Sequence, residues 1–184
     1  MREEIIALLR CPLCHGPLAR EGSALVCSHR HCFDVARQGH VNFVPAKRDT
    51  FYTKNLFESR AAVFAAGVFA PVIQAISDAL ERQGVRDGVV LVDAGCGEGY
   101  YTKSVCPERR LTRIGFDLAK EAIRLAARGP HEAAFFVGDL ANIPLTDRCA
   151  DVLLDVFTPA NYDECARVLK PDGILVKLWP RAGY

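Results

Sequence analysis

The sequence predicts an α/β fold built on a parallel sheet, preceded by a small metal-stapled segment. Three observations carry this. From Val89 onward, short apolar runs alternate with helical stretches, the pattern of βαβ units. A glycine-rich bend, Asp93-Ala-Gly95-Cys-Gly97-Glu-Gly99, follows the first of these runs and opens a helix. Four of the eight cysteines crowd between Cys11 and Cys32, in a stretch with too few apolar residues for a core of its own.

Residues 1–45 read as a metal-binding domain broken by turns at Cys11-Pro12, His15-Gly16-Pro17 and Glu21-Gly22-Ser23, with strand-like Leu25-Val26 and Phe33-Asp34-Val35. Residues 46–88 form a linker and helices. The linker, 46–54, is polar and basic at Lys47, Arg48 and Lys54; helices are expected at Leu56–Ala66 and Val72–Arg82, separated by Gly67 and Pro71. Residues 89–184 form the α/β domain, with strands at Val89–Asp93, Arg113–Asp117, Ala134–Val137, Asp151–Val156 and Ile174–Trp179. Helices are expected at Tyr101–Cys106, Lys120–Ala127 and Ala160–Leu169, with a short turn at Ile143–Leu145.

Composition narrows the class. With 184 residues, half of them hydrophobic, and a net charge of +1, the chain reads as a soluble globular protein. Near-neutrality argues against a wholly basic nucleic-acid coat and leaves room for a local basic patch. No apolar run approaches the roughly 18 residues a membrane span needs. Glu3, Glu4, Cys11 and Cys14 stand where a secretory signal would carry its apolar core, so a reducing cytoplasm is expected.

In that compartment, close cysteine pairs favour metal over disulfides. Cys11 and Cys14 sit on one tight turn; Cys27 and His31 follow on a second. Two thiolates on a Cys-Pro-x-Cys knuckle, a third thiolate and an imidazole suit tetrahedral Zn²⁺, and four filled positions make the site structural. His29 and Cys32 compete for the fourth place, and finger-like spacing favours His31. A disulfide or a reduced thiol cluster is the alternative.

Glycines at alternate positions let the backbone turn tightly and let a ligand approach the main chain. The run is neither the dinucleotide fingerprint nor a P-loop, so NAD and nucleoside triphosphates rank low. Asp117 ends the second strand, where a carboxylate can accept two hydrogen bonds from a ribose diol. Asp139 and Leu140 follow the third strand; Asp139 would accept from an adenine amino group and Leu140 would pack on the ring, although a helix N-cap explains Asp139 equally well.

Taken with Ala166-Arg-Val-Leu-Lys-Pro-Asp-Gly173, these residues resemble the class I S-adenosylmethionine-dependent methyltransferases. The metal quartet joined to Gly95-Cys-Gly-Glu-Gly-Tyr-Tyr-Thr102 is similar to the 23S rRNA (guanine-N1)-methyltransferases of the RlmA/TlrB type, and the likeness covers Cys11 to Pro180. It implies a Rossmann-like parallel sheet with five strands present and the last two missing, so the chain is either a fragment or a short form with an exposed sheet edge. It also implies S-adenosylmethionine and structural Zn²⁺ as cofactors. Asp93, Gly95, Gly97, Gly99 and Tyr100 would then line the methionine end, and Asp117 with Leu118 the ribose.

The implied partner is a 23S rRNA hairpin, with a homodimer as an option at the open edge and no membrane. Asp155, after the fourth strand, is the candidate for taking or orienting the guanine N1 proton, and Phe157 the candidate for stacking on a flipped base. A strand-end cap and a core aromatic are the plainer explanations of those two. A small-molecule methyltransferase, or a catalytically inactive module that holds zinc and the cofactor, are the rival functions.

Overall fold

The computed structural model describes residues 1–44 and 54–179. In chain order the elements are α1 (Glu3–Ile6), β1 (Leu18–Glu21), β2 (Ala24–Cys27), β3 (Cys32–Asp34), β4 (Val41–Asn42), α2 (Lys54–Ala65), α3 (Ala70–Arg82) and β5 (Val90–Ala94). They continue with α4 (Tyr100–Ser104), β6 (Thr112–Asp117), α5 (Lys120–Ala126), β7 (Ala134–Val137), β8 (Ala150–Val156), α6 (Tyr162–Val168) and β9 (Leu169–Leu178). Lys47 and Arg48 lie outside the described residues.

The central sheet has six parallel strands in the order β4-β7-β6-β5-β8-β9. Its strands read as nearly unbroken apolar runs because both faces are covered. Leu91, Val152 and Leu154 face α3 and α4, packing with Ile76, Leu80 and Val105. Val92, Ile114, Phe116, Phe136 and Leu153 face the other way, against Ile5, Leu9, Leu25 and Phe33 of the N-terminal segment and Cys165 and Val168 of α6. The metal-binding segment is therefore part of the sheet's core. The small antiparallel sheet β1-β2-β3 supplies that packing surface.

Five strands were expected in the sheet and six are found. The sixth, β4, comes from the N-terminal segment and pairs Val41 with Phe136 and Asn42 with Val137. It covers the β7 edge, while β9 is the opposite edge among the described residues. β9 is also longer than expected, beginning at Leu169. The turn expected at 143–145 is present, closed by Leu145 N donating to the Ile143 carbonyl (2.8 Å), and a bridge between Leu9 and Leu145 holds it.

Two devices fix the first strand–helix connection. Gly99, at φ +79°, is the N-cap of α4 and leaves room for the Phe135 ring; a Cβ there would lie 2.7 Å from it. Arg113 on β6 is buried and donates to the carbonyls of Thr102 (3.0 Å), Val105 (2.7 Å) and Cys106 (2.8 Å), satisfying the C-terminal end of a five-residue helix. No single helix among the described residues is long and apolar enough to cross a membrane.

Candidate functional site: a cofactor cavity and a metal knuckle

A cavity of about 540 Å³ opens at the carboxyl ends of β5 to β8, the end where open α/β sheets bind ligands. Its floor is Gly95 and Cys96, its sides Asp117–Leu118 and Gly138–Leu140, and its far wall Val156–Pro159. Phe57, Arg60, Val63 and Phe64 of α2, with Phe69, roof it.

The bend at the floor is held by the Phe116 carbonyl, near the end of β6, which accepts from both Gly95 N (2.8 Å) and Cys96 N (3.0 Å). Gly95 stands at φ +76°, facing Thr158 across the cavity mouth. Asp117 joins the bend to the ribose side: its carboxylate accepts from Gly97 N (2.9 Å) and Ala119 N (2.7 Å). A carboxylate has about four acceptor positions, so two remain for a diol. Burial pushes the Asp117 pKa up, opposed by those two N–H groups and by the Arg60 guanidinium.

Arg60 ties α2 to the bend. Its guanidinium lies 3.4 Å from Glu98 and over the rings of Phe57 and Phe64, at 5.7 and 5.6 Å from their centroids. Burial raises the pKa of Glu98, whose carboxylate oxygens are both enclosed.

Several expected positions do not wall this cavity. Asp93 is 1% exposed and sits behind the bend, accepting from Thr102 Oγ1 at 2.6 Å; burial raises its pKa to about 7. Gly97 and Gly99 shape the turn from its outer side, below Arg60 and Phe135. Tyr100 stacks flat on Phe64 at 4.2 Å and supports the roof from outside. Asp155 is turned by the strand pleat to the face opposite Val156. It is 1% exposed and accepts from Lys177 Nζ at 2.8 Å, with its other oxygen enclosed and unpartnered. Asp155 is therefore not among the residues that line the cavity.

Gly95, Asp117, Leu118, Asp139, Leu140 and Phe157 do line the cavity. Phe157 is 46% exposed at its rim, in a left-handed backbone (φ +58°) that a bulky residue adopts only under constraint. Phe69 stands edge-on to it at 6.3 Å. The aromatic roof was missed. Its signal was the spacing of Phe57, Phe64 and Phe69 along one helix and its following turn.

In the N-terminal segment, the donor atoms of Cys11, Cys14, Cys27 and His31 all lie within 4.8 Å of one another. His31 Nδ1 is 3.4 Å from both Cys11 Sγ and Cys27 Sγ, and Cys14 Sγ is 3.6 Å from Cys27 Sγ. Bonds of about 2.3 Å to zinc in a tetrahedron give edges of roughly 3.8 Å, so the quartet fits that ion. Both turns are closed by a residue with positive φ, His15 after the first pair and Arg30 before His31. Cys32 is exposed on β3, and His29 stacks beside His31 at 6.3 Å, which settles the competition for the fourth position.

The cavity likewise fits a nucleoside with an amino-acid tail: an acceptor for a diol, a floor where the main chain of Gly95 is open to a ligand, and an apolar roof. Residues 9–50 match the family described as RlmA, N-terminal, and residues 92–177 match a methyltransferase domain. A Bacillus subtilis protein, YxjB, provisionally named a 23S rRNA (guanine-N1)-methyltransferase, is 36% identical over 97% of this chain and 66% of its own length. The 23S rRNA (guanine(748)-N1)-methyltransferase of Streptomyces fradiae is 35% identical over all of this chain and 67% of its own.

The chain thus spans about two thirds of these curated relatives. Among solved structures, a Methanococcus maripaludis protein provisionally described as an S-adenosylmethionine-dependent methyltransferase superposes with a TM-score of 0.59. It is 20% identical, over 72% of this chain and 66% of that one, a likeness of fold. With the metal ribbon, the glycine bend and matches that run the length of this chain in agreement, the chain belongs to the 23S rRNA (guanine-N1)-methyltransferase family.

Proposed function

We propose that the cavity binds S-adenosylmethionine and that the protein methylates N1 of a guanine in a 23S rRNA hairpin. The carrying observation is the Asp117 carboxylate. It is fixed by Gly97 and Ala119 with acceptor capacity to spare, beside a bend whose Gly95 floors the cavity. Residues 1–45 hold the structural zinc, 46–88 supply the roof, and 89–184 hold the cofactor. The compartment is the cytoplasm. A second copy of the chain would pair along β9.

The sulfonium of the cofactor supplies an activated methyl group. The chain's own residues orient the reactants, a contribution of about 7–11 kcal/mol when geometry is good. Asp117 accepts the ribose hydroxyls, Asp139 and Leu140 meet the adenine, and Arg60 closes the methionine end from above. Phe157 and Phe69 form an aromatic rim on which the target base stacks, and the apolar roof keeps water from the methyl group.

Two measurements test this in sequence. Calorimetric titration of the zinc-loaded chain with S-adenosylhomocysteine should show one site, weakened at least tenfold in Asp117→Ala. Methyl incorporation by the whole protein should then be seen into 23S rRNA that lacks the modification, at a guanine N1. A folded, zinc-loaded protein that binds no cofactor would overturn the cavity assignment. Methylation of small molecules but not rRNA would overturn the substrate.

A further inference from the structure

The loop after β7 carries Asp139 and Leu140 into the cavity, then folds straight back. Ala141 N donates to Asp139 Oδ1 (2.9 Å) and Asn142 N to the Asp139 carbonyl (3.0 Å), so Asn142 is locked one turn from the cavity wall. Its side chain points the other way. Asn142 Nδ2 donates to the Pro12 carbonyl at 2.8 Å, and Oδ1 accepts from Arg10 at 3.4 Å. Pro12 lies between Cys11 and Cys14, inside the metal knuckle.

The backbones are laced together on either side. Arg10 N donates to the Pro144 carbonyl (3.2 Å) and Thr146 N to the Leu8 carbonyl (2.8 Å). Glu164 accepts from Ile143 N at 2.7 Å and faces Arg10 at 3.5 Å, while Arg167 donates to the carbonyls of Ile143 (2.9 Å) and Leu145 (2.8 Å). The knuckle and the cavity loop are therefore joined in one hydrogen-bonded unit.

We propose that Asn142 is a positioning residue that couples the metal knuckle to the adenine wall of the cavity, so that metal occupancy and cofactor affinity reinforce each other. This rests on the assignment of the cavity to S-adenosylmethionine. A filled tetrahedron fixes the Pro12 carbonyl between Cys11 and Cys14, that carbonyl fixes the Asn142 amide, and the amide fixes the turn bearing Asp139. Coupling between two sites is reciprocal: whatever factor zinc adds to cofactor affinity, the cofactor adds to zinc affinity.

The test uses the zinc-loaded chain and Asn142→Asp, which keeps the size and the acceptor for Arg10 but loses the donor to Pro12. Asn142→Ala serves as a second variant. One readout is the dissociation constant for S-adenosylhomocysteine. The other is zinc transfer to a competing chromophoric chelator, with and without saturating S-adenosylhomocysteine. In the wild type, the ligand should slow or reduce zinc transfer by about five-fold or more, the lower end of ordinary coupling. In both variants that ratio should fall towards one, with S-adenosylhomocysteine bound correspondingly more weakly and one zinc still held per chain.

An unchanged ratio in folded variants, or a wild type whose zinc transfer ignores the bound ligand, overturns the coupling and leaves the cavity assignment standing. A wild type that holds zinc and binds no S-adenosylhomocysteine overturns the cavity assignment, and the coupling falls with it.

Discussion

Gly95→Ala places a single methyl group at the tightest point of the site. The residue stands at φ +76°, and a Cβ there would lie 2.6 Å from Thr158 Oγ1, 2.7 Å from Cγ2 and 2.8 Å from Cβ. Two costs follow. Holding alanine in the left-handed region costs about 1–2 kcal/mol. Forcing Thr158 aside costs about 1–3 kcal/mol more, because that residue is tethered by the Lys177 ammonium at its carbonyl. The expected loss is about 2–5 kcal/mol, read by urea unfolding of the zinc-loaded chain with linear extrapolation.

Only glycine at 158 removes all three colliding atoms, so Gly95→Ala/Thr158→Gly should recover the steric share and keep the backbone share. The double-mutant cycle should show about 1–3 kcal/mol of coupling. A single variant within about 0.5 kcal/mol of the wild type, or a strictly additive double variant, would refute the close contact between the bend and β8.

Further outcomes test other parts of the site. The Asp93 carboxyl, held near pKa 7 by burial, keeps its proton in the folded chain over a range where the unfolded chain is ionised. Stability should therefore fall as pH rises from about 4 to 7, with about 1 kcal/mol of that loss between pH 6 and 7. Asp93→Asn should flatten the slope by that amount in urea melts, and an unchanged slope would count against a buried protonated acid. Cys27→Ser should abolish stoichiometric zinc and lower the thermal midpoint by on the order of 10 °C, since the ribbon packs on the sheet; a midpoint equal to the wild type's would show the ribbon to be dispensable. Phe157→Gly relieves the backbone constraint at φ +58°, so stability should hold or rise. Methyl transfer to RNA should nevertheless fall by roughly tenfold or more through loss of base stacking, with S-adenosylhomocysteine affinity within about threefold. Transfer at the wild-type rate would remove Phe157 from the substrate site.

What could be read from the chain was whatever is local. The strands at 90–94, 112–117, 134–137 and 150–156 announce themselves as apolar runs ending at chemistry-bearing residues, and the metal quartet is set by short spacings on two turns. What could not be read is set by partners far along the chain. Val41–Asn42 is too short to show a period, and only Phe136 and Val137 make it a strand. The direction of Asp93 and Asp155 depends on the pleat: both are the last residue but one of their strands at the carboxyl edge, yet they face Thr102 and Lys177 and not the cavity. The roof was hidden for a related reason. Helix α2 has no strongly one-sided apolar pattern, since its aromatic residues close a ligand cavity and Leu56 and Val63 remain exposed.

The pairing of Val41 with Phe136 also bears on how the chain assembles during synthesis. The four metal donors lie within residues 11–31 and can gather as soon as that stretch leaves the ribosome, but the strand ten residues further on must wait for its mate. At about 5–20 residues per second, that wait is roughly 5–20 s. Until β5 and β6 are made, Ile5, Leu9 and Leu25 have no central strand to lie against. A nascent chain with its metal already seated is still sticky, and its passage to the native state is timed by translation of the third strand of the methyltransferase sheet.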